Sequence, residues 1–230
     1  MSYKHIFFDL DRTLWDFDAN SYETLLELCE MYSLKDKGIA DYDEFIKIYK
    51  AHNESLWDLY RVNKISQEDL RRERFQRVLA DYKVDDYMLS EKMGNDYVEL
   101  CPRKSKLYPF AIEVLEYLKE KYSLHIITNG FDKTQHIKLD HANLRSYFIK
   151  IVTSEKLGVK KPDPRIFEYA LDMAGSTSKE ALYIGDNLSV DILGCQNSGI
   201  DGVYFNPQKS SHSEDVRYEI SCLSQLKEIL

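Results

Sequence analysis

Asp9 and Asp11 stand two residues apart where the apolar run Ile6-Phe7-Phe8 gives way to Asp9-Leu10-Asp11-Arg12-Thr13. Residues i and i+2 at a strand end point to the same side, so both carboxylates can approach one phosphorus atom. One can bind a metal and attack; the other can protonate a leaving alkoxide, then deprotonate the water that resolves the covalent intermediate. Three later segments carry compatible groups. Thr128-Asn129-Gly130 closes the run from Leu124, Lys160-Lys161 precedes Pro162-Asp163-Pro164, and Gly185-Asp186-Asn187 follows Ala181 to Ile184, with Asp191 five residues beyond Asp186. Carboxylates gathered at one edge repel each other, and burial raises that cost. A hard divalent cation such as Mg²⁺ relieves it while leaving places for water and phosphate, and a lysine adds neutralisation for an anionic substrate.

Each segment also has an ordinary reading. Asp9 and Asp11 can be a helix cap and a turn aspartate. Thr128-Asn129-Gly130 alone is a turn tripeptide, and Lys161 can be a solvated helix-entry lysine beside Lys160. Asp186 can cap the next helix, with Asp191 on its surface. What lifts them together is position, because ligands in an open α/β sheet bind beyond the carboxyl ends of the strands.

The elements that place them alternate. Short runs at Ile6–Phe8, Leu124–Thr128, Ile151–Thr153, Ala181–Ile184 and Gly202–Phe205 read as strands. Between them lie helical stripes such as Ala111/Val114/Leu115/Leu118 and Ile166/Tyr169/Ala170/Met173. The alternation predicts parallel βαβ units buried on both faces. From about residue 16 to 104 the texture is helical, with stripes at Leu25/Leu28/Cys29/Tyr32, Tyr42/Phe45/Ile46/Tyr49 and Phe75/Val78/Leu79/Tyr82 and a cap at Ser66 before an acidic first turn. The expected division is an α/β core of residues 1–15 and 105–230 interrupted by a helical module of residues 16–104. Arg103-Lys104-Ser105-Lys106 reads as a solvated return hinge.

The 230 residues are 43% hydrophobic and 13% aromatic, which argues against disorder, and the formal charge is −8. That sign disfavours a nucleic-acid polymer or anionic membrane as partner, while leaving a local site free to bind a small anion. No apolar run approaches the ~20 residues of a membrane helix, and the start Met1-Ser2-Tyr3-Lys4 leads into no signal-peptide core, so a cytoplasmic setting is expected. The four scattered cysteines read as reduced thiols, and the six histidines lack metal-ligand spacing.

The four segments, in this order, resemble the motifs of the haloacid dehalogenase superfamily, and the helical module resembles that superfamily's cap. The resemblance implies an α/β fold with a doubly wound, Rossmann-like parallel sheet and an inserted all-helical cap domain. It also implies Mg²⁺, with Asp9 as nucleophile and metal ligand and Asp11 as acid/base lending its backbone carbonyl to the metal. Thr128 and the Asn129 amide would hold phosphoryl oxygens, and Lys161 would bridge nucleophile and phosphate. Asp186 would ligate the metal, with Asp191 ligating through water or orienting the shell. Arg12 departs from the small residue often found there and is expected to point outward. Asp11-Arg12-Thr13-Leu14-Trp15-Asp16-Phe17, Ile127 to Phe131 and Asn53-Glu54-Ser55-Leu56-Trp57 are similar to pyrimidine 5′-nucleotidases acting on noncanonical nucleotides.

The leading expectation is a Mg²⁺-dependent phosphomonoesterase forming an aspartyl phosphate on a small phosphorylated metabolite, with a pyrimidine nucleoside 5′-monophosphate favoured. Trp15, Phe17, Trp57 and Phe131 are candidates to contact the base or sugar, and equally to fill the core. Enzymes accelerate phosphate-monoester hydrolysis by up to ~10²¹, a barrier suited to a metal, a lysine and two carboxylates together. Other readings are a sugar-phosphate phosphatase or mutase, a 2-haloacid dehalogenase, which needs neither Asp11 nor Asp186, and a silent regulator. The sequence sets no oligomeric state.

Overall fold

The computed structural model describes residues 3–230, so Met1 and Ser2 of the N-terminal reading lie outside the described residues. In chain order the elements are β1 (His5–Phe8), α1 (Phe17–Met31), α2 (Tyr42–Arg61), α3 (Gln67–Asp81), α4 (Tyr87–Leu100), α5 (Ala111–Lys119), β2 (Ser123–Thr128) and α6 (Asp132–His141). There follow β3 (Lys150–Thr153), α7 (Ser154–Leu157), α8 (Pro164–Ala174), β4 (Ala181–Gly185), α9 (Leu193–Asn197), β5 (Asp201–Phe205), β6 (Tyr218–Ile220) and α10 (Leu226–Ile229).

The strands form one parallel sheet in the order β3-β2-β1-β4-β5-β6. Strands β1, β2, β4 and β5 are buried almost throughout, as parallel strands covered on both faces must be. Phe7, Ile127, Val152 and Tyr183 supply one face, and Ile166, Phe167, Ala170 and Cys195 pack over it. The order reverses between β1 and β4, which opens a crevice at their carboxyl ends. There Asp9 follows β1 and Asp186 follows β4.

One helical stripe of the α/β part needs correction, and one strand was not foreseen. The buried stripe of α8 is Ile166/Phe167/Ala170/Leu171, while Tyr169 and Met173 are each 41% exposed. Neighbouring residues i and i+1 share a stripe broader than 100°, so a second helical face fits the same spacing. Strand β6, three residues on the β5 edge, is too short to show a period of two.

By compactness the chain forms two units, Met1–Phe17 with Ser105–Leu230, and Asp18–Lys104. The second unit contains helices and no strand among its described residues. Asp41 accepts a hydrogen bond from Glu44 N at 3.0 Å, Asp86 from Leu89 N at 2.9 Å, and Ser66 forms a capping box with Asp69. These side chains satisfy N–H groups that a helix start leaves unpaired. Phe45, Ile46, Tyr49, Phe75, Val78 and Tyr97 are buried between the helices. Lys104 is not simply solvated, since it donates to Glu23 at 2.8 Å and Glu27 at 2.5 Å. No helix among the described residues is long and apolar enough to cross a membrane.

Candidate active site

Lys161 is the centre of the crevice, 2% exposed and donating to Asp9 Oδ1 at 2.6 Å, Asp191 Oδ1 at 2.6 Å and the Tyr183 hydroxyl at 2.8 Å. Burial lowers its pKa, but Asp191 and Asp9 outweigh that and hold the ammonium above the ordinary lysine value. Ligand oxygens of Asp9, Asp186 and Asp191 all lie within 4.8 Å of one another. Three carboxylates against one ammonium leave negative charge uncompensated. Accordingly the Asp9 carboxyl is pushed up to about 7 by burial, with Asp191 and Asp11 adding and Lys161 opposing. Burial, then Asp191 and Asp9, likewise raise Asp186 well above the usual carboxylate range, against Arg12 and Lys161.

Local backbone explains how these groups meet. Asp191 belongs to a wide helical turn, Leu188–Ile192, capped by Asn187, whose side chain accepts from Val190 N at 3.0 Å. Such wide turns recur at functional sites. Asp191 folds back so that Oδ2 accepts from Asn187 N at 3.0 Å. A Cβ on Gly185 would sit 2.6 Å from the Asp191 carboxyl, so only glycine lets that carboxylate lie over the end of β4.

The Asn129 side chain pairs with the backbone of Lys161. Its Oδ1 accepts from Lys161 N at 2.8 Å and its Nδ2 donates to Lys161 O at 2.9 Å. The side-chain amide is thereby committed to holding the lysine's backbone. Thr128 is 1% exposed, and its hydroxyl accepts from Gly130 N at 3.1 Å and Gln135 Nε2 at 2.6 Å.

The Asp11 side chain lies outside the three-carboxylate group. It accepts from Gln135 Nε2 at 3.0 Å and from Lys138 Nζ at 2.5 Å. Lys138 is 5% exposed and lies over the Trp15 ring, 4.5 Å from its centroid. Trp15 itself is fully buried, its ring beneath the Lys138 ammonium. Phe131 is 8% exposed at the start of α6, and Trp57 is half-buried in α2 with its ring edge-on to Tyr60. Arg12 does not simply point outward. Held at φ 64° it is half-buried, its guanidinium 5.0 Å from the Phe17 centroid, and its charge is felt at Asp186.

Tyr183, Gln135 and Lys138 escaped the sequence reading. Tyr183 sits mid-strand, and α6 buries Gln135 and Lys138 at i, i+3, a spacing that marks a buried helix face in sequence only when the residues are apolar. Their signal was a polar pair at helical spacing just after the Thr128-Asn129-Gly130 turn.

Comparison with known proteins bears on this geometry. The family model of haloacid dehalogenase-like hydrolases matches residues 6–205. Pyrimidine 5′-nucleotidase YjjG of Escherichia coli is 32% identical over 233 residues, spanning 100% of this chain and 99% of the relative. Pyrimidine 5′-nucleotidase PynA of Streptococcus pneumoniae is 32% identical over 236 residues, spanning 100% and 96%. Among solved structures, the magnesium-bound HAD-hydrolase YfnB of Bacillus subtilis aligns with a TM-score of 0.88 at 28% identity, covering 100% of this chain and 99% of that one. With its sheet order, its strand-end carboxylates and this full-length similarity, the chain belongs to the haloacid dehalogenase-like hydrolases.

Proposed function

We propose that this protein is a Mg²⁺-dependent phosphomonoester hydrolase that forms an aspartyl phosphate on Asp9, with a pyrimidine nucleoside 5′-monophosphate as the favoured substrate. The observation that carries this reading is the meeting of Asp9, Asp186 and Asp191, two of which, Asp9 and Asp191, are held by the buried Lys161. The nucleotide preference rests on similarity to proteins named pyrimidine 5′-nucleotidases.

The donor set fits a hard divalent cation: carboxylate oxygens are its preferred ligands, and burial, with neighbouring carboxylates adding, raises the pKa values of Asp9 and Asp186. Asp9 and Asp186 would hold Mg²⁺ with the Asp11 backbone carbonyl, and Asp191 would ligate through water or orient the shell. Bound there, the ion supplies charge neutralisation for the phosphoryl oxygens.

The protein's own groups do the rest. An Asp9 carboxylate oxygen attacks phosphorus, forming the Asp9 O–P bond as the bond to the leaving oxygen breaks. Asp11 gives that oxygen its proton, then takes one from the water that attacks the aspartyl phosphate, releasing inorganic phosphate and restoring Asp9. Lys161 holds Asp9 in place and offsets charge on the transferring group, while the Thr128 hydroxyl and the Asn129 N–H receive phosphoryl oxygens. The helical unit Asp18–Lys104 acts as the cap that sets selectivity.

The test is phosphate release with Mg²⁺ across nucleotides and sugar phosphates, run beside Asp9→Asn. Selective release from pyrimidine monophosphates, absent in the variant and silenced by EDTA, is the expected result. Metal-free turnover of a 2-haloacid, with every phosphate ester inert, would replace the reading with dehalogenation.

A further inference from the structure

Beside the carboxylates that meet Lys161, α6 builds a second polar group around Asp11. Gln135 and Lys138 lie one turn apart on the same face of that helix, and both are buried. Lys138 Nζ donates to Asp11 Oδ1 at 2.5 Å. Gln135 Nε2 donates to Asp11 Oδ2 at 3.0 Å and to the Thr128 hydroxyl at 2.6 Å. All four residues belong to the α/β unit.

The fold goes to some length to keep this group together. The Lys138 ammonium lies 4.5 Å from the Trp15 ring centroid and 5.8 Å from that of Phe17. The turn after β1 sets Trp15 there, with Trp15 N donating to Leu10 O and Arg12 N to Trp15 O, each at 2.9 Å. Gln135 Oε1 has no hydrogen-bond partner, although the side chain is buried. A Cβ on Gly130 would lie 2.4 Å from the Gln135 amide, so the turn before α6 leaves room for it. A buried charge and a half-satisfied buried amide both cost free energy. Apolar side chains of similar size would serve the packing of this helix face at least as well.

What the two polar groups gain is a fixed Asp11. Its side chain is 27% exposed, so the protein holds one side of the carboxylate and leaves the other open. Each carboxylate oxygen accepts one of the two bonds and retains a lone pair. An ammonium and an amide nitrogen are donors only, so neither competes for a proton carried on those lone pairs. The open edge can give its proton to an ester oxygen as the bond to phosphorus breaks, then take one from the attacking water. Proton transfer needs an approach of roughly 2.6–3.2 Å, which a freely rotating carboxylate meets only part of the time.

We propose that Lys138 and Gln135 are positioning residues for the proton transfers of Asp11, the ammonium fixing one carboxylate oxygen and the amide tying the other to the Thr128 hydroxyl. The proposal deepens the phosphomonoesterase reading and rests on it for the part Asp11 plays.

The experiment compares full-length wild type with Lys138→Met and Gln135→Met. With Mg²⁺ present, kcat/KM is measured for p-nitrophenyl phosphate, uridine 5′-phosphate and ribose 5-phosphate. This constant reports the steps through departure of the leaving group. Nitrophenolate departs without a proton, whereas the two alkoxides need one. Positioned proton transfer contributes on the order of 10²- to 10⁴-fold, so each variant should lose about thirtyfold or more on both alkyl esters and less than about fivefold on the aryl ester. The two variants address the same carboxylate from its two oxygens, so either one that folds decides the matter. Equal losses on alkyl and aryl esters, no loss at all, or a loss confined to uridine 5′-phosphate would overturn the proposal and leave the hydrolase reading standing. Failure of both variants to fold would make the pair a packing feature and overturn it as well. A wild type inert toward every phosphate ester would instead overturn the hydrolase reading, and the proposal with it.

Discussion

Lys161 was legible only through the resemblance, because it abuts Pro162; its type and place alone fit a solvated helix-entry lysine equally well. Its third partner was not. Tyr183 lies within β4, where an aromatic side chain reads as sheet packing, and only the folded register brings its hydroxyl to Lys161 and, at 3.0 Å, to Asp191 Oδ1. Removing that hydroxyl leaves the Lys161 contacts to Asp9 and Asp191 in place but frees the ammonium to tilt. A hydrogen bond of this kind is worth about 1 kcal/mol, rather more beside charge. Tyr183→Phe should therefore lower kcat about five- to tenfold with every phosphate ester alike, and change KM much less. A kcat equal to wild type, or a loss confined to one substrate, would show that the hydroxyl does not position Lys161. Asn129 shows the converse limit: its type and place pointed to the site, but whether its amide serves the ligand or the neighbouring backbone depends on a chain segment 32 residues away.

At the scale of elements, the strands were readable because parallel strands are apolar on both faces, and the carboxylates were readable because they follow those strands. What periodicity hid were polar residues on buried faces. His125 in β2 is 1% exposed, its ring stacked on Phe7 at 4.7 Å and Nε2 3.1 Å from His5 Nδ1. Burial, with the charges of His5 and Lys150 adding, lowers its pKa to about 4. The unfolded chain takes up a proton near 6.5, whereas the folded chain resists until about 4. Stability tied to His125 is thus present above pH 6.5 and lost as pH falls between these values, by about 3 kcal/mol at most. Asp9 and Asp186, with raised pKa values, act in the opposite sense, so the test is a difference between proteins. Urea unfolding of wild type and His125→Phe at pH 7 and pH 4.5 should show the variant relatively more stable at the lower pH. An identical difference at both values would mean the imidazole does not resist protonation.

For the molecule as a whole, the helical unit enters the chain at a place the α/β unit already closes. Asp16 N donates to Lys106 O at 3.0 Å, Tyr108 N donates to Leu14 O at 2.9 Å, and Trp15 bridges Leu107. The two points of departure are thereby side by side, and a short flexible segment can join Phe17 to Ser105 without moving either. Every group of the Asp9–Lys161–Asp186–Asp191 cluster belongs to the α/β unit, as do all six strands. A chain in which a short Gly/Ser linker replaces residues 18–104 should therefore unfold cooperatively and still be stabilised by Mg²⁺. At a concentration of about 100 times the dissociation constant, that stabilisation is about 2.7 kcal/mol. It should be larger at pH 8 than at pH 5, because protons compete with the cation for carboxylates whose affinity for protons is already raised. Discrimination between uridine 5′-phosphate and ribose 5-phosphate should collapse, because the helical unit proposed to set selectivity is removed. Retained discrimination would place base recognition in the α/β unit. A chain that fails to fold would show that the helical unit contributes to the core of its host, contrary to the closure seen at residues 14–16 and 106–108.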